Sequence, residues 1–286
     1  MEKRLITYRQ SRIKHWPVIR TFAVLSLLAL VAACGSAPEQ SSSAPAQPAV
    51  ATALSAEQVL QQMSEKLKGA QQLTFKVSRQ MDSALIEEGD LLQNAQIEFA
   101  VARPNRLKAR SASGEAVRSF YADGQTVTLF DEDMLFYASV PAAGTIDEMV
   151  ARFDERYGFT PPLAEFTLND PYKKMSQQIQ SSTNKGKEMM NGVECHHVAA
   201  TGELVDADIW VATSDQLPRR LVVTFKQREG SPQLKADFSD WNLAAKLDDK
   251  TFSFTPPQGA EEIDMLTTEQ IKDAEQKGEK KQEKQK

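Results

Sequence analysis

Apolar and polar positions change period several times along this chain, and each change marks an element. Behind Ser55-Ala56-Glu57-Gln58, the residues Val59, Leu60, Met63 and Leu67 fall at helical spacing, and Gly69 closes the run. Ser55 and Gln58 have the spacing of a capping box, in which each side chain satisfies the other residue's backbone N–H. The period then drops to two. Leu73, Phe75 and Val77 alternate with Thr74, Lys76 and Ser78, and Ile97, Phe99 and Val101 alternate with Gln96, Glu98 and Ala100. Runs at 106–111, 117–122, 125–130 and 135–140 continue the pattern, with Asp123-Gly124 and Asp131-Glu132-Asp133 as turns between them.

Helical spacing returns where Thr145 and Glu148 make a second capping box, with Ile146, Met149, Val150, Phe153 and Tyr157 forming one stripe up to Gly158. Pro161-Pro162 follows, and Asp170-Pro171 reads as an N-cap with a proline at the first helical position. Asn191-Gly192 is a hairpin turn signal leading into strand runs at 193–201, 207–213, 218–227, 233–241 and finally 251–254. The pattern predicts an α+β fold that is mainly antiparallel β, with about eleven strands and three helices. A sheet of that size curls, giving an incomplete barrel with the helices on its apolar concave face.

Both ends read differently. Basic residues up to Arg20 precede the apolar run Thr21–Ala33, whose 13 residues would span about 20 Å as a helix, short of the roughly 30 Å bilayer core. A basic region followed by an apolar run of this length is a secretory signal. Val31-Ala32-Ala33-Cys34 resembles the bacterial lipobox, which implies a signal peptide over 1–33 and acylation of Cys34 as the first mature residue. Gly35 stands where retention at the inner membrane would use Asp, which points to the outer membrane. Residues 34–54, rich in Ser, Ala, Pro and Gln, form a flexible tether, and 267–286 form a charged, disordered tail. One body, 55–266, lies between them.

Composition narrows the function classes. The chain has 286 residues, 41% hydrophobic and 26% charged, with two cysteines, which is ordinary for a globular protein. The first 33 residues hold six Lys/Arg against one Glu, leaving 28 basic and 38 acidic residues in the rest. An acidic body argues against a nucleic-acid partner.

The strand sequences Val193-Glu194-Cys195-His196-His197-Val198, Asp208-Ile209-Trp210-Val211 and Leu217-Pro218-Arg219-Arg220-Leu221-Val222-Val223-Thr224-Phe225 resemble a bacterial family, domain of unknown function 2092, of predicted periplasmic proteins. Ser239-Asp240-Trp241, the 252–260 ending, 123–129 and Glu155-Arg156-Tyr157-Gly158 carry the same resemblance, which spans 56–265. More distantly, strand order and the Phe-x-Phe-x-Pro-Pro-x-Gly ending are similar to the LolA/LolB/LppX outer-membrane lipoprotein-carrier superfamily. That likeness implies an incomplete barrel closed by helices around a cavity for acyl chains.

Catalytic patterns are missing from the sequence: it contains no G-x-S-x-G, P-loop, G-x-G-x-x-G or H-E-x-x-H. Cys195-His196-His197 alternates across a strand, so at most two of the three share a face, too few for a structural zinc. Acylation of Cys34 would leave Cys195 without a disulfide partner. Arg219 and Arg220 suit either a strand's polar face or an anion site, and Trp210 and Trp241 suit packing. The reading is a non-enzyme without cofactor or metal. It is a lipid-anchored envelope protein facing the periplasm, attached to the membrane through Cys34, whose apolar cavity takes a lipid or an acyl chain. Its cavity candidates are Phe75, Phe99, Leu129, Leu221, Val223 and Phe225 on strands, with Met149 and Phe153 on the second helix as plug or lid. The alternative is a non-enzymatic scaffold or stress sensor with a filled core and a protein partner. Replacing Cys34 with Ser is expected to abolish processing there and release the protein from the membrane fraction. A Ser variant that still incorporates labelled fatty acid and stays in the membrane would contradict the lipobox reading.

Overall fold

The computed structural model describes residues 53–85, 94–114, 116–158 and 163–270. The signal peptide, Cys34, nearly all of the tether, Pro161-Pro162 and most of the tail lie outside them.

Helix α1 (Ala56–Lys68) starts at the expected capping box: Ser55 Oγ accepts the Gln58 amide at 3.1 Å while Gln58 Oε1 accepts the Ser55 amide at 2.8 Å. Gly69 ends it in right-handed rather than left-handed conformation (φ −66°). The Gly69 amide closes the last turn on Glu65 O, and Arg103 adds bonds to Leu67 O and to Ala70 O just beyond the helix and reaches on to Thr167 O. A cation at a helix C-terminus also complements the macrodipole.

Strands β1 (Gln72–Met81), β2 (Asn94–Ala102), β3 (Arg106–Ala112), β4 (Val117–Ala122), β5 (Thr126–Asp131) and β6 (Phe136–Pro141) form an antiparallel meander. Helix α2 (Ile146–Tyr157) begins at the Thr145/Glu148 capping box and ends at Gly158, whose φ of 60° is the left-handed cap that glycine adopts without strain. Helix α3 (Pro171–Ser176) is capped by Asp170, and Ser64 of α1 accepts its Tyr172 amide at 3.0 Å. Strands β7 (Ser181–Met190), β8 (Val193–Thr201), β9 (Val205–Ala212), β10 (Pro218–Phe225), β11 (Gln233–Asn242) and β12 (Glu261–Glu262) complete the chain order. Asn191 and Gly192, both at positive φ, make the β7–β8 turn.

These strands make one open, curled sheet of twelve, ordered β12-β6-β5-β4-β3-β2-β1-β11-β10-β9-β8-β7. β11 returns to pair with β1, which joins the two meanders at their first and last long strands. Period two puts one set of side chains on the face the helices cover. There Leu73, Phe75, Val77, Ile97, Phe99, Leu107, Phe120, Val127, Ile209 and Phe238 share one buried cluster with Val59, Met63 and Leu67 of α1 and with Ile146, Met149 and Phe153 of α2.

Three strands depart from the sequence reading: β7 and the two-residue β12 were not expected, and one expected strand is absent. β7 was not expected, because Ser-Ser-Thr-Asn-Lys-Gly-Lys-Glu has no apolar alternation and the strand is held by its backbone ladder to β8. The expected strand at 251–254 is absent. Asp248 caps a 3₁₀ turn over Asp249–Thr251, accepting the Thr251 amide at 3.0 Å, and the backbone that follows joins no ladder. Its phenylalanines work through their side chains, on the face opposite the helices. Phe252 is fully buried under the Arg106 guanidinium, and the Phe254 ring centre lies 5.1–5.5 Å from those of Tyr121, Phe130 and Tyr137. The segment then pairs with β6 through Glu261–Glu262, which run parallel to it. Phe252→Ala is expected to cost about 3–5 kcal/mol in urea unfolding, as other buried Phe truncations do; a loss below about 1 kcal/mol would mean that the strap contributes no core.

Candidate functional site

The helix-covered face is the candidate site, and its middle is packed. The Phe75 ring stacks between Phe99 at 4.5 Å and Trp241 at 4.4 Å, with Phe238 at 6.3 Å. Phe166 meets Phe238 edge-on at 4.6 Å, and Phe153 of α2 meets Phe120 edge-on at 6.1 Å. Trp241 also donates from Nε1 to Pro218 O at 3.1 Å. Of the eight cavity candidates, Phe75, Phe99, Met149 and Phe153 are buried in this cluster. Leu129 and Leu221 are half-buried and pack against it. Val223 and Phe225 are half-buried further along β10.

Register explains the difference. Leu221 sits between Ile209 and Ala236, Val223 between Ala207 and Leu234, and Phe225 opposite Val205. Met81 is paired with Leu234 across β1 and β11. Toward this end of β9–β11 the inward side chains are apolar but only partly covered. Trp241 packs as its sequence reading expected, whereas Phe238 and Phe166 were missed as members of the packed middle. Phe238 and Trp241 lie on an expected strand whose facing direction the sequence does not give, and Phe166 lies in a short 3₁₀ turn.

The helices are tied down at one end of this face. Besides its bonds to the end of α1, Arg103 donates to Asn169 Oδ1 at 3.3 Å. Asn169 donates in turn to Pro104 O and to the Asp147 carboxylate of α2. Burial pulls the Arg103 pKa down, opposed by the charge of Asp147.

The opposite face is polar and internally neutralised. His197 lies flat on Trp210 at 4.3 Å, with Nδ1 2.9 Å from Glu188 Oε1 and Nε2 2.7 Å from Asp208 Oδ1. Arg220 pairs with Asp237, and Arg219 with Asp215 at 2.5 Å, so each guanidinium already faces a carboxylate rather than an open anion site. Glu132 accepts from Arg110 at 2.9 Å and from Ser119 Oγ at 2.6 Å. Burial works to raise its pKa, but these bonds outweigh it and hold the carboxyl below its ordinary value. On the helix-covered face, in the row of Ile97 and Ser111, Asp131 pairs with Arg118 at 3.3 Å, and Asp133 accepts the Val117 amide, so this acidic turn is spent on the fold.

Cys195, His196 and His197 divide between faces as the alternation requires. The Cys195 thiol is fully buried and donates to Val193 O, and burial pushes its pKa up. Burial, with help from Lys187, lowers that of His196, whose Nδ1 lies 3.5 Å from Asn184. Among the described residues, no three His, Cys, Asp or Glu side chains gather as metal ligands. Two polar surface clefts border the outer side of α1. One, of about 440 Å³, is lined by Gln58, Gln61, Gln62, Glu65, Lys66 and Gln216; the other, of about 300 Å³, reaches Tyr172 and Lys173.

The architecture is that of an α+β protein built on an open antiparallel half-barrel with an apolar, helix-covered interior. The chain belongs to the family described as "Predicted periplasmic protein (DUF2092)", which matches residues 56–266. No curated protein matches it. Solved structures with a similar fold include the lipoprotein LppX of Mycobacterium tuberculosis, 13% identical over 68% of this chain and 98% of that one, with a TM-score of 0.40. A LolA-superfamily protein from Nitrosomonas europaea is 11% identical over 71% of this chain and 99% of that one, TM-score 0.34. The MucA/MucB complex of Pseudomonas aeruginosa gives 13% identity, 70% and 61% coverage and a TM-score of 0.40.

Cys195 offers a direct check on the closed state of the β8–β9 region. In the Cys34→Ser variant, where it is the single remaining cysteine, maleimide labelling is expected to be slow in native buffer and to rise along the urea unfolding transition. Fast labelling of the native protein would place the thiol at the surface.

Proposed function

We propose that this chain is a lipid-anchored lipoprotein facing the periplasm, and that it binds a hydrophobic ligand, a lipid or a lipoprotein acyl chain, on the helix-covered face of its sheet. The observation that carries the reading is the apolar stripe of Leu221, Val223, Phe225, Leu234 and Met81, which is only half-buried beside a fully packed core. Leaving such a stripe partly wet forgoes roughly 25 cal/mol for each Å² of apolar surface that an occupant would cover. The packed middle can widen only if a helix moves. Helix α2 is suited to that, since glycines at positive φ, Gly144 (φ 123°) and Gly158 (φ 60°), bracket it and it carries Met149 and Phe153. Attachment through Cys34 and an outer-membrane location rest on the lipobox resemblance and on Gly35. No catalytic role is assigned.

An envelope scaffold for a protein partner is the second reading. The exposed ten-residue edge strand β7 favours it, because bare edges accept strands from other chains.

Thermal melts and binding of a fluorescent fatty acid, run on the wild type, Leu129→Trp and Val223→Trp, separate the two. A ligand face predicts that Val223→Trp keeps its stability to within about 0.5 kcal/mol while fatty-acid uptake falls several-fold. A filled core predicts losses of roughly 1–3 kcal/mol from overpacking in both variants. With no uptake by the wild type, the scaffold stands.

A further inference from the structure

The period-two pattern that turns Leu73, Phe75 and Val77 inward on β1 also turns Arg79 inward, and Arg79 is only 4% exposed. Register sets Ala95 of β2 on one side of it and Ala236 of β11 on the other. Two small neighbours leave the long side chain room to lie along the sheet. Continuing across the same row come Leu221 and Ile209. One inward position further along the strands come Met81, Leu234 and Val223, the half-buried apolar stripe. A guanidinium, charged throughout the physiological range, therefore stands at the head of an apolar strip. Two strands away on the same face, Ser111 of β3 has a buried hydroxyl without a hydrogen-bond partner among the described residues.

We infer that the ligand of this face is an anionic amphiphile, with its acyl chain on the Leu221–Val223–Leu234 stripe and its carboxylate or phosphate head on Arg79. The inference rests on the apolar-ligand reading and adds the charge of the head to it. The planar fork of arginine matches carboxylate and phosphate oxygens two at a time, and such charge-assisted bonds strengthen away from water. Arg79 has interactions of its own in the structure; an anionic head joins or replaces them. The Ser111 hydroxyl is a further donor on the side of the head.

The test compares dansyl-undecanoic acid, its methyl ester and a dansyl-labelled phosphatidic acid on the full chain, with wild type, Arg79→Met and Arg79→Lys. The wild type is expected to bind at least one of the two anions about tenfold more tightly than the ester. Arg79→Met is expected to lose that preference while keeping its affinity for the ester, and Arg79→Lys to retain part of it. A tighter phosphatidic acid assigns a phosphate head, and a tighter fatty acid assigns a carboxylate. Equal binding of both anions and ester by the wild type overturns the inference and leaves the apolar-ligand reading standing; it needs no variant, so it decides even if Arg79→Met does not fold. An unchanged preference in a folded Arg79→Met variant overturns it as well. Binding of none of the three probes by the wild type removes the apolar-ligand reading and this inference together.

Discussion

The stacking of Phe75 between Phe99 and Trp241 is the contact on which the architecture turns. It joins the first strand of the sheet to the second and to the last long one, so it closes the seam between a meander that runs outward through β6 and another that runs outward through β7. Neither half could bury its inward face alone: each is a strip of alternating residues with one greasy side. Joined at β1 and β11, they make a trough deep enough for α1 and α2 to fill. Aromatic stacking adds about 0.5–1.5 kcal/mol per pair to the area term. Its larger effect here is to fix which residues of β1, β2 and β11 face inward, and with them the register of every strand beyond.

Much of this was legible in the sequence, for local reasons. The capping boxes at Ser55 and Thr145 depend on side chains three residues apart, and the Asn191-Gly192 turn on two adjacent residues, so they form as read. The expected strands from 106 onward that do form agree with the structure to within two residues at each end. What failed to show was whatever depends on distant partners. β7 is a strand because β8 offers it a ladder, and its own side chains record nothing of that. Phe252 and Phe254 alternate like a strand, yet they are anchors dropped onto the outer face of β3–β6, where Arg106, Tyr121, Phe130 and Tyr137 receive them. Alternation says that two faces differ without saying what covers either.

The candidate site divides along the same line. That Phe75, Phe99 and Phe153 point inward follows from period; that they fill the space they face depends on side-chain volumes meeting across five elements, which a linear pattern does not encode. Arg79 was the opposite case. Its inward direction could have been read from Leu73, Phe75 and Val77, but a basic residue two places beyond Val77 looks like the end of an apolar run until its burial is known.

The two edges of the sheet are treated unequally. At β6 the returning chain lays down Glu261 and Glu262, a short acidic border, whereas β7 runs ten residues with no strand beyond it among the described residues and is tied to the start of the body through Asn184 and the Leu54 carbonyl. A sheet with two open borders can polymerise, each copy offering a fresh border to the next. With one border spent, edge-to-edge association between copies stops at a pair, and a bound foreign strand excludes even that. The strap thus makes the sheet a chain terminator, so a crowd of such molecules can jostle at high density without growing into fibres.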